Sequence, residues 1–171
     1  MKNMFIGVFV VILAAAFIQP LIEVSNALKE KVTLGAAILN SCRAARNNAL
    51  VSVSYYDSDR NMGDLNAYIS EAEFRRFFAE AFSETLGVGV IDPGADPMRF
   101  EANNRWNAIT VEVQLEYDGS GDFENRGKSI VTVAAVTPYV FRTSLLQEAS
   151  DASRVVYNIT ETRVFTVQVI N

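Results

Sequence analysis

The sequence predicts an α+β protein in which a long N-terminal helix, membrane-crossing in its first half, packs with a second helix on a small antiparallel sheet. Three observations carry that expectation. The nineteen residues 4–22 are apolar apart from Gln19 and Pro20, and at 1.5 Å per residue such a run covers about 28 Å, close to the hydrocarbon thickness of a bilayer. Helical spacing then continues beyond the apolar run without a clear stop. Later, residues 109–117 change to strict apolar/polar alternation, the period of a strand with one buried face.

Phe5, Val10 and Leu13 are expected to face lipid, and Pro20, which removes a backbone donor, should loosen the helix at the membrane boundary. The order of Met1-Lys2-Asn3, an apolar stretch and then Ala14-Ala15-Ala16 also fits a secretory signal peptide cut after Ala16. The anchor reading leads, because Leu21, Ile22 and Val24 extend the apolar pattern where a mature terminus should turn polar. Residues 1–22 are therefore read as a membrane or signal-anchor segment, with the N-terminus on the cytoplasmic side of the inner membrane. Residues 23–171 form one exported domain, and its first helix, residues 23–54, is continuous with the span.

Along that helix the apolar and small residues fall at Leu21, Val24, Leu28, Gly35, Leu39, Cys42, Ala49 and Val53, with Lys29, Glu30, Asn40, Arg43 and Asn47 mostly off the stripe. Gly35, Ala36, Ala37, Ala44 and Ala45 keep the helix slim enough for close approach of a neighbouring element. Residues 57–63 read as a loop. A second helix opens on an S-x-x-E capping box, Ser70 to Glu73, and ends at Gly87. Its Phe74, Phe77, Phe78, Ala81, Phe82 and Leu86 form one aromatic stripe, read as core before any ligand groove. Residues 87–107 are rich in turn signals, with one short strand at 88–91. A strand follows over 128–136, ended or bent at Thr137-Pro138, then a helical turn at 145–150 and a bent strand or hairpin over 155–170.

Composition narrows the function. The formal net charge is −5 and the chain has no extended basic cluster, which argues against nucleic acid as a partner. It has no histidine and a single cysteine, Cys42, which removes histidine-based catalysis, intramolecular disulfides and cysteine zinc sites together. No enzyme is expected, and no cofactor. Asp57-x-Asp59-x-Asn61 has the alternating oxygens of a calcium loop, but Met62 stands where the turn glycine belongs and Tyr68 where a bidentate Glu belongs, so a solvated turn is the leading reading. Asp118, Ser120, Asp122 and Glu124 form a second oxygen-rich loop with the same weakness. Asn158-Ile159-Thr160 matches a glycosylation acceptor inside a strand. Trp106, among Asn103, Asn104, Arg105 and Asn107, is either an exposed anchor for a partner or the edge of the core.

A hydrophobic helix that continues into a soluble half and is followed by alternating strands resembles the type IV pilin plan. Within that group, the stretch from Cys42 and Arg43 through Ala44-Ala45-Arg46 to Ala49 resembles the tight-adherence (TadE/TadF-like) accessory pseudopilins. The chain departs from processed prepilins at one motif: Gly7 lies inside the apolar run, Ile12 stands where the fifth mature residue would be Glu, and the first acid is Glu23. The resemblance implies a pilin-like fold and a structural role in a pilus or related secretion assembly. It implies contacts with the membrane and with other pilin-like subunits along Gly35, Leu39, Cys42, Ala45, Arg46 and Ala49, and the domain could end in a surface filament. The competing expectation is a secreted or tethered ligand-binding module with a cleaved signal peptide.

Overall fold

The computed structural model describes residues 2–57, 62–118, 128–154 and 156–168. Helix α1 runs Lys2–Ala49, far longer than an ordinary globular helix, and Pro20 lies within it. Strands β1 (Leu50–Asp57) and β2 (Met62–Ile69) follow as an antiparallel pair, then α2 (Glu71–Leu86), β3 (Val90–Asp92), β4 (Met98–Phe100), β5 (Ile109–Asp118), β6 (Lys128–Tyr139), α3 (Ser144–Ser153) and β7 (Tyr157–Gln168). Strands β3 to β7 make a five-stranded antiparallel sheet in sequence order. The α+β expectation stands, and strands consecutive in sequence are neighbours in the sheet.

Over residues 4–18 of α1 the apolar side chains, Phe5, Val10 and Leu13 among them, are exposed. The helix is long and apolar enough to cross a membrane. The second half is packed against α2 and the sheet. Leu34, Ile38, Cys42 and Ala45 of α1 meet Phe74, Phe78 and Phe82 of α2 and the inward row Ile109, Val111, Val113, Val131, Val133 and Ala135 of the sheet. On β5 the alternation is as the sequence predicts, with Glu112, Gln114 and Glu116 outside. The phenylalanine stripe of α2 is core: Phe74, Phe78 and Phe82 stack at 6.3 and 5.4 Å, and Phe82 meets Phe100 at 4.8 Å.

Several expectations need correction. Helix α1 stops at Ala49, not near residue 54, because 50–57 is rich in β-branched and aromatic residues in alternation and pairs with 62–69. The capping box is open: Ser70 is the N-cap but its side chain caps nothing, and Glu73 pairs with Arg76 at 2.5 Å. Gly87 does close α2, in the left-handed conformation at φ 65°, where a side chain would be strained. The turn-rich stretch contains β4 as well as β3. Strand β6 continues through Thr137-Pro138 to Tyr139, β7 is one strand through residues 160–162, and the helical turn is the full helix α3.

The buried stripe of α1 is also rotated from the expected one. It runs through Glu23, Ala27, Glu30, Leu34, Ala37, Ile38, Ser41, Cys42, Ala45 and Ala49, while Leu21, Val24 and Leu28 face outward. Two glutamates on the inward face set this rotation, and the domain supplies their partners.

Candidate functional site

The junction where α1 leaves its apolar half and meets the domain is built around Glu23. Its side chain is one residue beyond the apolar run and only 1 % exposed. A carboxylate buried to that degree has to be hydrogen-bonded. The Tyr139 hydroxyl donates to Oε2 at 2.6 Å, and the backbone N–H of Arg142 donates to Oε1 at 2.6 Å. The backbone N–H of Thr143 donates to the same Oε1. Strand β6 delivers Tyr139 and its outgoing loop delivers the two amides, so one side chain ties the helix to the β6–α3 connection. Burial pushes the Glu23 carboxyl upward, but the hydrogen bonds from Tyr139 and from the Thr143 and Arg142 backbone outweigh it, and the acid is held below its ordinary range. Burial, and then the neighbouring Glu23 carboxylate, push the Tyr139 phenol up.

Two turns along, the Arg142 guanidinium donates to Glu30 Oε1 at 2.6 Å. Tyr139, Phe141 and Tyr157 form an aromatic chain beside this ion pair, with centroids 5.5 and 6.1 Å apart. Two grooves flank the helix here. An apolar one of about 420 Å³ is lined by Pro20, Val24, Leu28, Phe141, Leu146 and Tyr157 among others. A polar one of about 620 Å³ is lined by Asn26, Lys29, Asn104, Arg105, Asn107 and Arg142.

The slim helix face lies farther out. Gly35 is buried against β7, where a Cβ would stand 3.0 Å from Arg163 Nη2 and 3.1 Å from Glu161 Oε1, themselves an ion pair at 2.7 Å. Cys42, Ala45 and Ala49 are buried in the core, Leu39 is half-buried, and Arg46 is exposed beside Asn47. Burial raises the Cys42 thiol to about 12, so it stays protonated and inert at neutral pH. These residues were expected to meet other subunits, yet Gly35, Cys42, Ala45 and Ala49 are taken up by the chain's own domain. The free face of the helix carries Leu21, Val24, Leu28, Val32 and Ala36 instead, with Leu21 67 % and Val32 71 % exposed.

Trp106 is 3 % exposed and sits at the edge of the core, so it offers a partner little surface. Asn103 holds it there: its Oδ1 accepts from the N–H groups of Arg105 and Trp106, and its Nδ2 donates to the carbonyls of Leu86 and Gly87. Asp59 and Asn61 lie outside the described residues, as do the side chain of Asp57 and the oxygen-rich loop after Asp118. Among the described residues no cluster of three or more Cys, Asp or Glu side chains converges as a metal site would.

Sequence reasoning missed Glu23, Tyr139 and Arg142. The available signal was a glutamate set directly against an apolar run, where a charge is costly unless a partner covers it. No protein family, curated protein or solved structure is matched by this chain.

Proposed function

We propose that the chain is a pilin-like, membrane-anchored structural subunit of a type IV or tight-adherence pilus, or of a related secretion assembly. The observation that carries this reading is the division of α1. One continuous helix has an apolar stretch, residues 4–18, whose side chains are exposed and a second half that is the spine of a domain. In this reading the span holds the chain in the inner membrane with the domain outside. Association with other pilin-like subunits uses the outward stripe Leu21, Val24, Leu28, Val32 and Ala36, which prolongs the apolar span past the point where the domain begins. The departure of Ile12 from the pilin glutamate is compatible with an accessory subunit that does not need that contact.

Membrane fractionation with intact-mass measurement tests the anchor, and site-specific photocrosslinking from Leu28 tests the association. Full-length protein that resists carbonate extraction and crosslinks to itself or to a pilus component is the expected result. The polar groove beside Asn104 and Arg105 favours a second reading, a secreted or tethered ligand-binding module. A soluble exported product beginning at Phe17 would put that reading first.

A further inference from the structure

We propose that the connection from β6 through α3 to β7 is the seat of the domain on the bilayer, with its apolar and aromatic side chains placed in the lipid headgroup zone. The proposal rests on the reading that residues 4–22 span the membrane. Glu23 follows the span directly, so its backbone stands about 1.5 Å beyond the last apolar residue along the helix axis. The headgroup zone adds roughly 5–8 Å on each side of the hydrocarbon. Because Glu23 accepts directly from the Arg142 and Thr143 amides and from Tyr139, the segment 139–143 is held at that height. Tyr157 is the register partner of Tyr139, which brings the start of β7 to the same level.

Beside the polar surface of α3, with Gln147, Glu148 and Asp151 exposed, the two ends of this connection expose apolar and aromatic side chains: Val140 is 54 %, Val156 67 % and Tyr157 54 % exposed. On a water-facing loop such residues gain nothing, whereas at a membrane interface valine sinks toward the hydrocarbon and tyrosine keeps its hydroxyl at headgroup level. The apolar groove beside them is continuous with the span, since Pro20 forms part of its wall. Charge does not drive the contact. Lys29, Lys31, Arg142 and Arg154 lie around this end of the domain, but Glu23, Glu30, Glu148 and Asp151 balance them. The occupant is therefore the bilayer surface itself, with no need for an anionic lipid.

The test uses the full chain in phosphatidylcholine vesicles, labelled with an environment-sensitive fluorophore at single introduced cysteines. Cys42 is buried and stays unlabelled. Val140→Cys and Val156→Cys report the seat, and Val10→Cys reports the span. Glu116→Cys is the control, because Glu116 pairs with Ile130, about 30 Å along β6 from Tyr139. Lipids spin-labelled at the headgroup are expected to quench most of the emission at positions 140 and 156, lipids spin-labelled deep on the acyl chain to quench position 10, and both to leave position 116 bright. Quenching at 10 with positions 140 and 156 as bright as 116 overturns the seat and leaves the span intact. A blue-shifted but unquenched label at 140 or 156 also overturns it, since protein would then cover the site. An unquenched label at position 10 removes the span and the seat with it.

Discussion

Glu23 is the residue whose environment has the largest consequences. It gives up hydration and recovers it as three hydrogen bonds from one loop and one tyrosine, and charge-assisted bonds of this kind contribute more than neutral ones. Glu23→Gln should cost about 2 kcal/mol of domain stability and Tyr139→Phe about 1 kcal/mol, read from thermal melts in detergent micelles. If the pair acts as one unit, the double variant loses less than the sum. The pH dependence has a definite sign. The folded acid is held below its unfolded value, so the stability it contributes is fully present above about 4.3 and is lost as pH falls through the lower folded value. Melts of the wild type and Glu23→Gln should therefore converge as the pH drops below about 4. Equal pH slopes in the two proteins would contradict the clasp.

At the scale of elements, the packing of α1 is a question of which face is spent inside the molecule. Gly35→Leu pushes a side chain into the Glu161–Arg163 pair on β7 and should lower stability by about 1–3 kcal/mol. Phe78→Ala removes a fully buried ring from the α1–α2 interface and should cost about 4 kcal/mol. Both effects are measurable by chemical denaturation. Much of this architecture was legible beforehand. The α2 stripe has a phenylalanine on nearly every inward turn, and β5 alternates without error, so periodicity alone locates both. The β1–β2 hairpin was not legible, because its first strand continues directly from a helix with no proline or glycine between them. The true stripe of α1 was not legible either. A periodicity argument sorts residues by polarity, and Glu23 and Glu30 are inward only because donors and a guanidinium far along the chain come to meet them. For the same reason the sequence placed the subunit-facing surface on Gly35 and Ala45, which the domain covers.

For the whole molecule, the proposed function has the two faces of α1 separate stability from association. Val32→Asp lies on the outward face and touches no core residue, so it should leave the melting temperature unchanged while removing crosslinks between subunits. Arg75 belongs to the opposite class. It bonds Glu71 at 3.0 Å, Asp96 at 3.2 Å and the Val113 carbonyl at 2.8 Å, joining α2, the β3–β4 loop and the sheet. Burial alone would weaken its proton affinity, but the Asp96 and Glu71 carboxylates raise it, so the guanidinium stays charged at any working pH. Losing Arg75 should loosen the domain without affecting membrane retention.

The clasp at Glu23 also sets an order of events during biogenesis. Its partners lie 116 to 120 residues downstream, a stretch that takes on the order of ten seconds to synthesise. The span emerges first, so on the proposed topology the helix enters the membrane long before Tyr139 and Thr143 exist. Through that interval the Glu23 carboxylate is hydrated at the membrane surface and the inward face of α1 is bare. The newborn chain is therefore tethered before it is folded, and docking of the domain onto its own anchor is among the last steps of its maturation. Any chaperone of this protein would have to guard that face of the helix, and release it only when the final strands arrive.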